Sequence, residues 1–296
     1  KINPHKLTGA LESFDALRVD YEFACGYDLT GRADPSVLIQ SAVELAVRKD
    51  IVLVFAGLPD SYESEGFDRT HIDLPQEQND LIHKLAAVNP NIVVILHAGS
   101  SMRMPWLDQV KAVLLMGLGG QCVGAATVDL LLGMVNPSGK LSETYPLALN
   151  DNPAYRYFGH RLNAEYRESI FVGYRYYEKA GKNVLFPFGF GLSYTNFEFK
   201  DLKLSHSVMQ DDQILELTLK VKNTGIYDGK EVIQVYIAPP PSSIYKPVKE
   251  LRAFKKILLK VGEEEEVTFK LGKRAFAYWN VNLKDWHVES GAYQVL

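Results

Sequence analysis

The sequence predicts an α/β domain followed by an all-β domain, and three observations support that fold class. The first half of the 296 residues alternates short, continuously apolar runs with segments of helical periodicity. The second half shows strand patterns and turn signals instead. A segment rich in proline and aromatic residues separates the two halves. A chain of this length has room for two ordinary domains, each with its own core.

The apolar runs of the first half predict strands that are buried on both faces, as in a parallel sheet covered by helices. These runs are residues 51–57, 92–99 and 112–117. Apolar residues at helical spacing predict helices between and beside them. The predicted helices lie around residues 37–46, 76–88 and 123–132. Repeated alternation of strand and helix predicts a three-layer α/β sandwich with a mostly parallel sheet.

The second half predicts an antiparallel β-sandwich. Residues 215–222 alternate strictly between apolar and polar side chains, and Asn-Thr-Gly at 223–225 is a turn signal. Further strands are predicted at 231–237 and 267–271, and no convincing helix is present. The four consecutive glutamates at 263–266 are predicted to form a solvated hairpin edge rather than a cation site.

The predicted domain boundaries are 1–148 for the α/β domain, 149–196 for a connector and 197–296 for the β-sandwich. The connector is crowded with tyrosine and phenylalanine, whereas a flexible linker would be polar and small. We therefore expect it to pack between the domains, although its aromatic rings are also suited to line a sugar site.

Composition excludes several classes of protein. The formal net charge of −4 gives no electrostatic reason to expect a nucleic-acid partner. No apolar run is long enough to cross a bilayer, and the histidines show no metal-ligand spacing. The only cysteines, Cys25 and Cys122, exclude a disulfide framework and are predicted to be free, buried thiols. Together with the first four residues, which lack a signal-peptide pattern, the free cysteines favour a cytoplasmic location.

The loop after the first predicted strand, residues 58–69, is the candidate functional segment. In open parallel α/β sheets, ligands bind outside the carboxyl ends of the strands. The loop is long and rich in carboxylates, and a carboxylic acid there can act as a general acid if its surroundings raise its pKa. Structural roles are the alternative, with Asp60 capping a turn and Asp68 paired with Arg69. Spacing alone does not choose between Glu63 and Glu65.

Two glycine-rich segments fail as nucleotide sites, so no cofactor is expected. Residues 117–122 follow a strand and open a helix, but Cys122 occupies the third glycine position of a dinucleotide motif. Residues 136–141 have Leu141 where a phosphate loop needs serine or threonine. His97, at the end of an apolar strand, is predicted to be a core histidine rather than a base.

Four stretches together resemble glycoside hydrolase family 3. Glu63-Ser64-Glu65-Gly66-Phe67-Asp68-Arg69, with Ile72-Asp73-Leu74-Pro75 after it, resembles the acid/base loop of many bacterial β-glucosidases of that family. The other stretches resemble the end of the family's α/β sandwich domain, its connector and its fibronectin-III-like domain, in the family's order. They are residues 136–141 with 144–146, residues 172–177 with 186–195, and residues 229–279.

This resemblance implies part of a retaining glycosidase that releases sugar from the non-reducing end of β-glucosides or short oligosaccharides. It implies Glu65 as the catalytic acid/base, with Glu63 as the runner-up, and a nucleophilic aspartate on a (β/α)8 barrel. The barrel is expected in the same or a companion chain, and a homo-oligomer is compatible with the sequence. The segment alone is expected to be inactive. We also expect the α/β domain to lack its first strand and the β-sandwich its last.

Two other hypotheses stay open at this point. A non-catalytic carbohydrate-binding or assembly module is the main alternative, in which the carboxylate loop has lost its role. A nucleotide-binding α/β protein is disfavoured by the two failed glycine motifs.

Overall fold

A computed structural model of the chain describes residues 5–159, 162–210 and 212–296. The first four residues, which lack a signal-peptide pattern, lie outside the described part of the chain. The chain divides into two compact units. The first, called here the α/β unit, holds residues 1–134 and 145–149. The second, called here the β-sandwich unit, holds residues 135–144 and 150–296, so the aromatic connector from residue 150 onward groups with it.

The α/β unit contains four helices and four strands among the described residues. The helices are α1 (Ala10–Ala16), α2 (Pro35–Ala46), α3 (Gln76–Ala86) and α4 (Val123–Leu131). The strands are β1 (Val52–Gly57), β2 (Ile92–His97), β3 (Ala112–Leu115) and β4 (Tyr145–Pro146). Short 3-10 turns occur at Leu107–Gln109 and Gly120–Cys122.

The sheet of this unit is parallel, in the order β1-β2-β3. The central strand β2 is the most deeply buried, and Ile92, Val94 and Ile95 are fully inaccessible to solvent. Ile82 of α3 is equally inaccessible, as expected for a helix that follows β1 and covers the sheet. The predicted α/β class and the parallel sheet are therefore confirmed.

Local chemistry explains the ends of these elements. Asp34 caps α2 by accepting a hydrogen bond from the backbone N–H of Ser36 at 2.9 Å, and Pro35 occupies the first helical position. Buried Asn89 donates to the carbonyl oxygens of Ala46 and Lys49 at 2.9 and 2.6 Å, which ties the end of α2 to the start of β2. The end of α2 and the start of β2 are thus held together by hydrogen bonds from one buried side chain.

The β-sandwich unit contains the remaining elements. Its strands are β5 (Val184–Phe186), β6 (Phe197–Leu204), β7 (Leu215–Asn223), β8 (Gly229–Ala238), β9 (Glu250–Leu259), β10 (Glu264–Leu271), β11 (Tyr278–Asn280), β12 (Asp285–His287) and β13 (Gln294–Val295). Its helices are α5 (Tyr174–Lys179) and α6 (Lys273–Phe276), and a 3-10 turn spans Leu149–Asp151 at the border of the two units.

Two antiparallel sheets, ordered β10-β7-β6 and β13-β8-β9, form the sandwich, and β11 and β12 pair as a hairpin. Leu217, Val221, Leu259 and Val267 are among the inward-facing residues of its core cluster. Their alternation with exposed polar neighbours along β7 and β10 is the pattern that predicted a β-sandwich, and this prediction is confirmed.

Two sequence-based expectations are wrong. The acidic run at 263–266 is not a hairpin edge, because β9 pairs with β8 whereas β10 pairs with β7, so the turn joins two different sheets. Glu264 instead forms an ion pair with Lys200 at 2.7 Å. Cys25 and Cys122 are free as expected, but both are exposed rather than buried.

Candidate active site

The candidate loop, residues 58–75, joins the carboxyl end of β1 to α3. It begins beside β2, where the N–H of Leu58 donates to the carbonyl oxygen of His97 at 3.0 Å. Gly57 permits this close approach, since a Cβ atom there would lie 2.1 Å from the same carbonyl oxygen. The N–H groups of Tyr62 and Glu63 then donate to the carbonyl oxygen of Pro59 at 2.8 and 3.1 Å. The first part of the loop is therefore a fixed turn at the end of the strand.

Glu63 uses both oxygens of its carboxylate within the α/β unit. The backbone N–H of Gly99 donates to Oε2 at 2.9 Å, and the hydroxyl of Ser100 donates to Oε1 at 2.7 Å. The side chain is half-buried. Both donors belong to the loop that follows β2, so Glu63 joins the loops at the ends of two adjacent parallel strands.

Arg69 joins the same two loops from the other side of the Glu65 segment. Its Nη1 donates to the hydroxyl oxygen of Ser100 at 2.8 Å and lies 3.5 Å from the carbonyl oxygen of Ser101. Ser100 therefore accepts from Arg69 and donates to Glu63. Arg69 therefore contacts the loop that follows β2 through both of these oxygens.

Glu65 has different surroundings, although it lies only two residues from Glu63. The whole segment 64–68 is exposed. Among the described residues, none forms a hydrogen bond or ion pair with the Glu65 carboxylate. The local order of this segment comes from a hydrogen bond between the N–H of Gly66 and the hydroxyl of Ser64 at 3.2 Å. The Glu65 carboxylate is thus available to a ligand, whereas that of Glu63 is engaged.

His97 is half-buried at the end of β2, and its ring stacks on that of Phe55 with centroids 6.4 Å apart. Burial lowers the pKa of His97 below its usual value, so the neutral imidazole is favoured. His97 therefore packs against Phe55, but it is only half-buried and not the core histidine that the sequence predicted.

Sequence reasoning missed Gly99 and Ser100, which complete the loop's anchorage. The strand-end rule, that ligands of parallel α/β sheets bind outside the carboxyl ends of the strands, selected the loop after β1, and it applies equally to the loop after β2. The run Ala98-Gly99-Ser100-Ser101, directly after an apolar strand, was the available signal.

Within 5–159, 162–210 and 212–296, no group of three or more histidine, cysteine or acidic side chains is arranged to hold a metal ion. In that part of the chain, no helix is both long enough and apolar enough to cross a bilayer.

An α/β unit with a carboxylate loop at a strand end, followed by a β-sandwich, is the architecture found in one class of glycoside hydrolases. The profile of the Glycosyl hydrolase family 3 C-terminal domain matches residues 6–194. The profile of the Fibronectin type III-like domain matches residues 231–296. The chain belongs to glycoside hydrolase family 3.

Several relatives extend this finding. Thermostable beta-glucosidase B of Acetivibrio thermocellus is 50% identical over 280 residues, covering 94% of this chain and 37% of that protein. An Exo-alpha-(1->6)-L-arabinopyranosidase of Bifidobacterium breve is 41% identical over 296 residues, covering 99% of this chain and 39% of that protein. The chain therefore spans well under half the length of these relatives.

Solved structures agree with the family assignment. The crystal structure of a Bifidobacterium adolescentis GH3 beta-glucosidase matches with a TM-score of 0.94 at 42% identity, covering 100% of this chain and 44% of that one. A beta-glucosidase from Kluyveromyces marxianus in complex with glucose matches with a TM-score of 0.83 at 42% identity, covering 89% of this chain and 32% of that one.

Proposed function

We propose that this chain supplies the general acid/base of a retaining glycosidase, and that Glu65 is that residue. The observation that supports this choice is the contrast within one loop. The Glu65 carboxylate is exposed at the carboxyl end of a parallel strand, whereas both oxygens of Glu63 are engaged by Gly99 and Ser100. A general acid must bring its proton within hydrogen-bond reach of the leaving oxygen, which an unengaged carboxylate can do.

The first chemical step uses two carboxyl groups, which lie about 5–5.5 Å apart on either side of the scissile bond. The nucleophile, an aspartate on a (β/α)8 barrel outside the described residues, attacks C1 of the sugar. Protonated Glu65 gives its proton to the glycosidic oxygen as the bond from C1 to that oxygen breaks. The leaving group departs as an alcohol, and the sugar remains bonded through C1 to the nucleophile.

The second step returns the enzyme to its starting state. Glu65, now ionised, takes a proton from a water molecule whose oxygen bonds to C1. The bond from C1 to the nucleophile breaks, which releases the sugar and the nucleophile's carboxylate. Glu65 holds the proton again, ready for the next substrate.

The proposed substrates are β-glucosides or short oligosaccharides, cleaved at the non-reducing end. Relatives named beta-glucosidases support this choice. The Bifidobacterium breve relative is named for L-arabinopyranose instead. We therefore expect the barrel to contribute most of the sugar specificity, and a barrel in the same or a companion chain is the proposed partner of this segment.

The test uses the full-length protein that contains this chain and compares substrates by leaving group. Glu65→Ala should lower kcat on an unactivated β-glucoside such as cellobiose by about 10²–10⁴-fold, the usual contribution of a positioned acid/base. Formation of the glycosyl-enzyme from 2,4-dinitrophenyl β-glucoside should slow far less, because that leaving group needs no proton. Equal rates for variant and wild type on both substrates would contradict the assignment and favour a non-catalytic carbohydrate-binding module.

A further inference from the structure

The candidate loop is fastened to its neighbour on both sides of Glu65. Glu63 lies two residues before Glu65 and accepts from Gly99 and Ser100 at 2.9 and 2.7 Å. Arg69 lies four residues after it and donates to Ser100 at 2.8 Å. We call the set Glu63, Arg69, Gly99 and Ser100 the loop clasp. The segment between its two fixed points is exposed and has a single internal hydrogen bond of its own.

The direction of each hydrogen bond in the loop clasp is fixed by chemistry. A guanidinium only donates, so the oxygen of Ser100 accepts from Arg69 and its one proton goes to Glu63. Oε1 of Glu63 therefore accepts, and Oε2 accepts from a backbone N–H. A carboxylate satisfies both demands, whereas an amide can satisfy only one, because its nitrogen donates.

The backbone at Gly99 lies close to the side chains of Glu63 and Leu118, which leaves little room for a larger residue. A Cβ atom on Gly99 would lie 3.1 Å from Oε1 of Glu63 and 2.9 Å from Cδ1 of Leu118. The N–H of Glu63 itself donates to the carbonyl oxygen of Pro59 at 3.1 Å. Glu63 is thus fixed through its main chain to the turn after β1 and through its side chain to the loop after β2.

We propose that Glu63 is a positioning residue, which holds the segment that carries Glu65 at the distance from the sugar that proton transfer requires. This inference rests on the proposed function of Glu65. Glu63 acts through its carboxylate on the loop after β2 and does not touch the substrate. A misplacement of about 1 Å in a reacting group can cost about 10²-fold in rate, so a loose loop would slow the reaction without removing any reacting atom.

The experiment compares Glu63→Gln with the wild-type full-length protein, and Glu12→Gln serves as the matched control. Glu12 is an exposed glutamate of α1 in the same unit. We expect Glu63→Gln to lower kcat on cellobiose by about 10–10²-fold. Formation of the glycosyl-enzyme from 2,4-dinitrophenyl β-glucoside should fall by less than about 3-fold, because only proton transfer depends on the loop's position. Glu12→Gln should leave both rates unchanged.

A second variant keeps the inference testable if Glu63→Gln folds poorly. Ser100→Ala removes only the hydroxyl that links Arg69 to Glu63, so it should produce the same selective loss on cellobiose, but a smaller one. Equal losses on the two substrates, accompanied by a lower melting temperature, would overturn the positioning role and indicate a merely structural one. Unchanged rates in both variants would also overturn it.

Azide separates this inference from the proposed function, because azide attacks the glycosyl-enzyme without needing a general base. Glu63→Ala should give no β-glucosyl azide with added azide, since Glu65 is still present. If azide restores turnover of Glu63→Ala with formation of β-glucosyl azide, but not of Glu65→Ala, then Glu63 is the acid/base. Both the catalytic role of Glu65 and the positioning role of Glu63 would then be wrong. If Glu65→Ala alone is rescued while Glu63→Gln behaves as wild type, only the positioning role falls.

Discussion

Glu65 of the α/β unit and two paired glutamates of the β-sandwich unit have opposite surroundings. In the β-sandwich unit, Glu231 is only 9% exposed and forms an ion pair with Lys140 at 2.8 Å. Glu289 in the same unit forms an ion pair with Lys246 and accepts a hydrogen bond from the hydroxyl of Ser242 at 3.0 Å. The hydrogen bond from Lys246 lowers the pKa of Glu289 below its usual range. In the α/β unit, Glu65 is exposed, and none of the described residues pairs with it.

The difference in burial and pairing distinguishes carboxylates that support the fold, such as Glu231, from Glu65, the carboxylate proposed to react. A buried charge is costly unless it is paired, so burial of Glu231 and its bond to Lys140 belong together. A carboxylate without a partner persists at little cost only where water solvates it. In a family of enzymes that use paired carboxyl groups, an exposed carboxylate at a strand end, such as Glu65, is accessible to a substrate, which is why we propose it as the reacting one.

The largest effect on stability should come from breaking the pair of Lys140 and Glu231. Lys140 also donates to the carbonyl oxygen of Gly191 at 2.7 Å. Lys140→Met leaves Glu231 buried without its cation, and removal of one partner of a buried pair costs about 3–5 kcal/mol. Because the two side chains keep 18% and 11% exposure, we expect about 3 kcal/mol, at the lower end of that range. Urea unfolding followed by circular dichroism measures the loss.

The control for this prediction is the double variant Lys140→Met with Glu231→Leu. Replacing both charges by apolar side chains should restore most of the lost free energy of unfolding, because no unpaired charge remains buried. A double variant no more stable than Lys140→Met alone would show that the ion pair is not the source of the effect.

A smaller effect is expected at Asp28, a carboxylate of the α/β unit that has a full set of donors. It accepts from the hydroxyl and N–H of Thr30 at 2.7 and 2.9 Å and from the N–H groups of Arg32 and Ala33, both at 3.0 Å. The hydroxyl of Thr30 and these N–H groups lower the pKa of Asp28 to about 2. Asp28 thus resembles Glu231 in being fully engaged, although it belongs to the same unit as Glu65.

The sign of the pH dependence follows from that lowered pKa. The unfolded chain has an ordinary aspartate pKa of about 3.9. The stability contributed by ionised Asp28 is therefore complete above about pH 4 and is lost as pH falls towards about 2. Asp28→Asn should lower the urea midpoint at pH 6, and its difference from the wild type should shrink between pH 4 and 2. Asp20→Asn, at an exposed position, is the control, and a difference that stays constant over this range would contradict the account.

The smallest effect on stability is expected at Glu65 itself. Glu65→Gln removes a solvated carboxylate that has no described partner, so the free energy of unfolding should change by less than about 0.5 kcal/mol. Thermal and urea unfolding of the variant provide the measurement. A loss above about 1 kcal/mol would mean that Glu65 supports the fold, and the contrast between the two kinds of carboxylate would no longer hold.

Much of the fold was accessible from sequence because burial leaves a periodic pattern. The run that became β2 is continuously apolar since this central strand is buried on both faces, and β7 alternates because only one face is buried. Strand β9 was missed because exposed Phe254 and the charged pair Lys255 and Lys256 interrupt any alternation. Its pairing with β8 also shifts register between Val235 and Tyr236, so no simple period runs through it.

The position of the candidate loop was predictable from the sequence, but the contacts that distinguish Glu63 from Glu65 were not. The strand-end rule selected the loop after β1, and the family resemblance favoured Glu65. The donors that engage Glu63 lie 36 and 37 residues away along the chain, at Gly99 and Ser100. Only the parallel pairing of β1 with β2 brings these residues together, and no local pattern records that contact.

The central claim is that Glu65, not Glu63, transfers the proton, and the product formed with azide tests it most directly. The full-length Glu65→Ala protein, given 2,4-dinitrophenyl β-glucoside and azide, should recover turnover and release β-glucosyl azide, identified by the configuration at C1 in its NMR spectrum. The product keeps the β configuration because C1 is inverted twice, first when the nucleophile displaces the leaving group and again when azide displaces the nucleophile from the opposite face. Release of glucose alone from Glu65→Ala, with β-glucosyl azide formed by Glu63→Ala instead, would contradict the account.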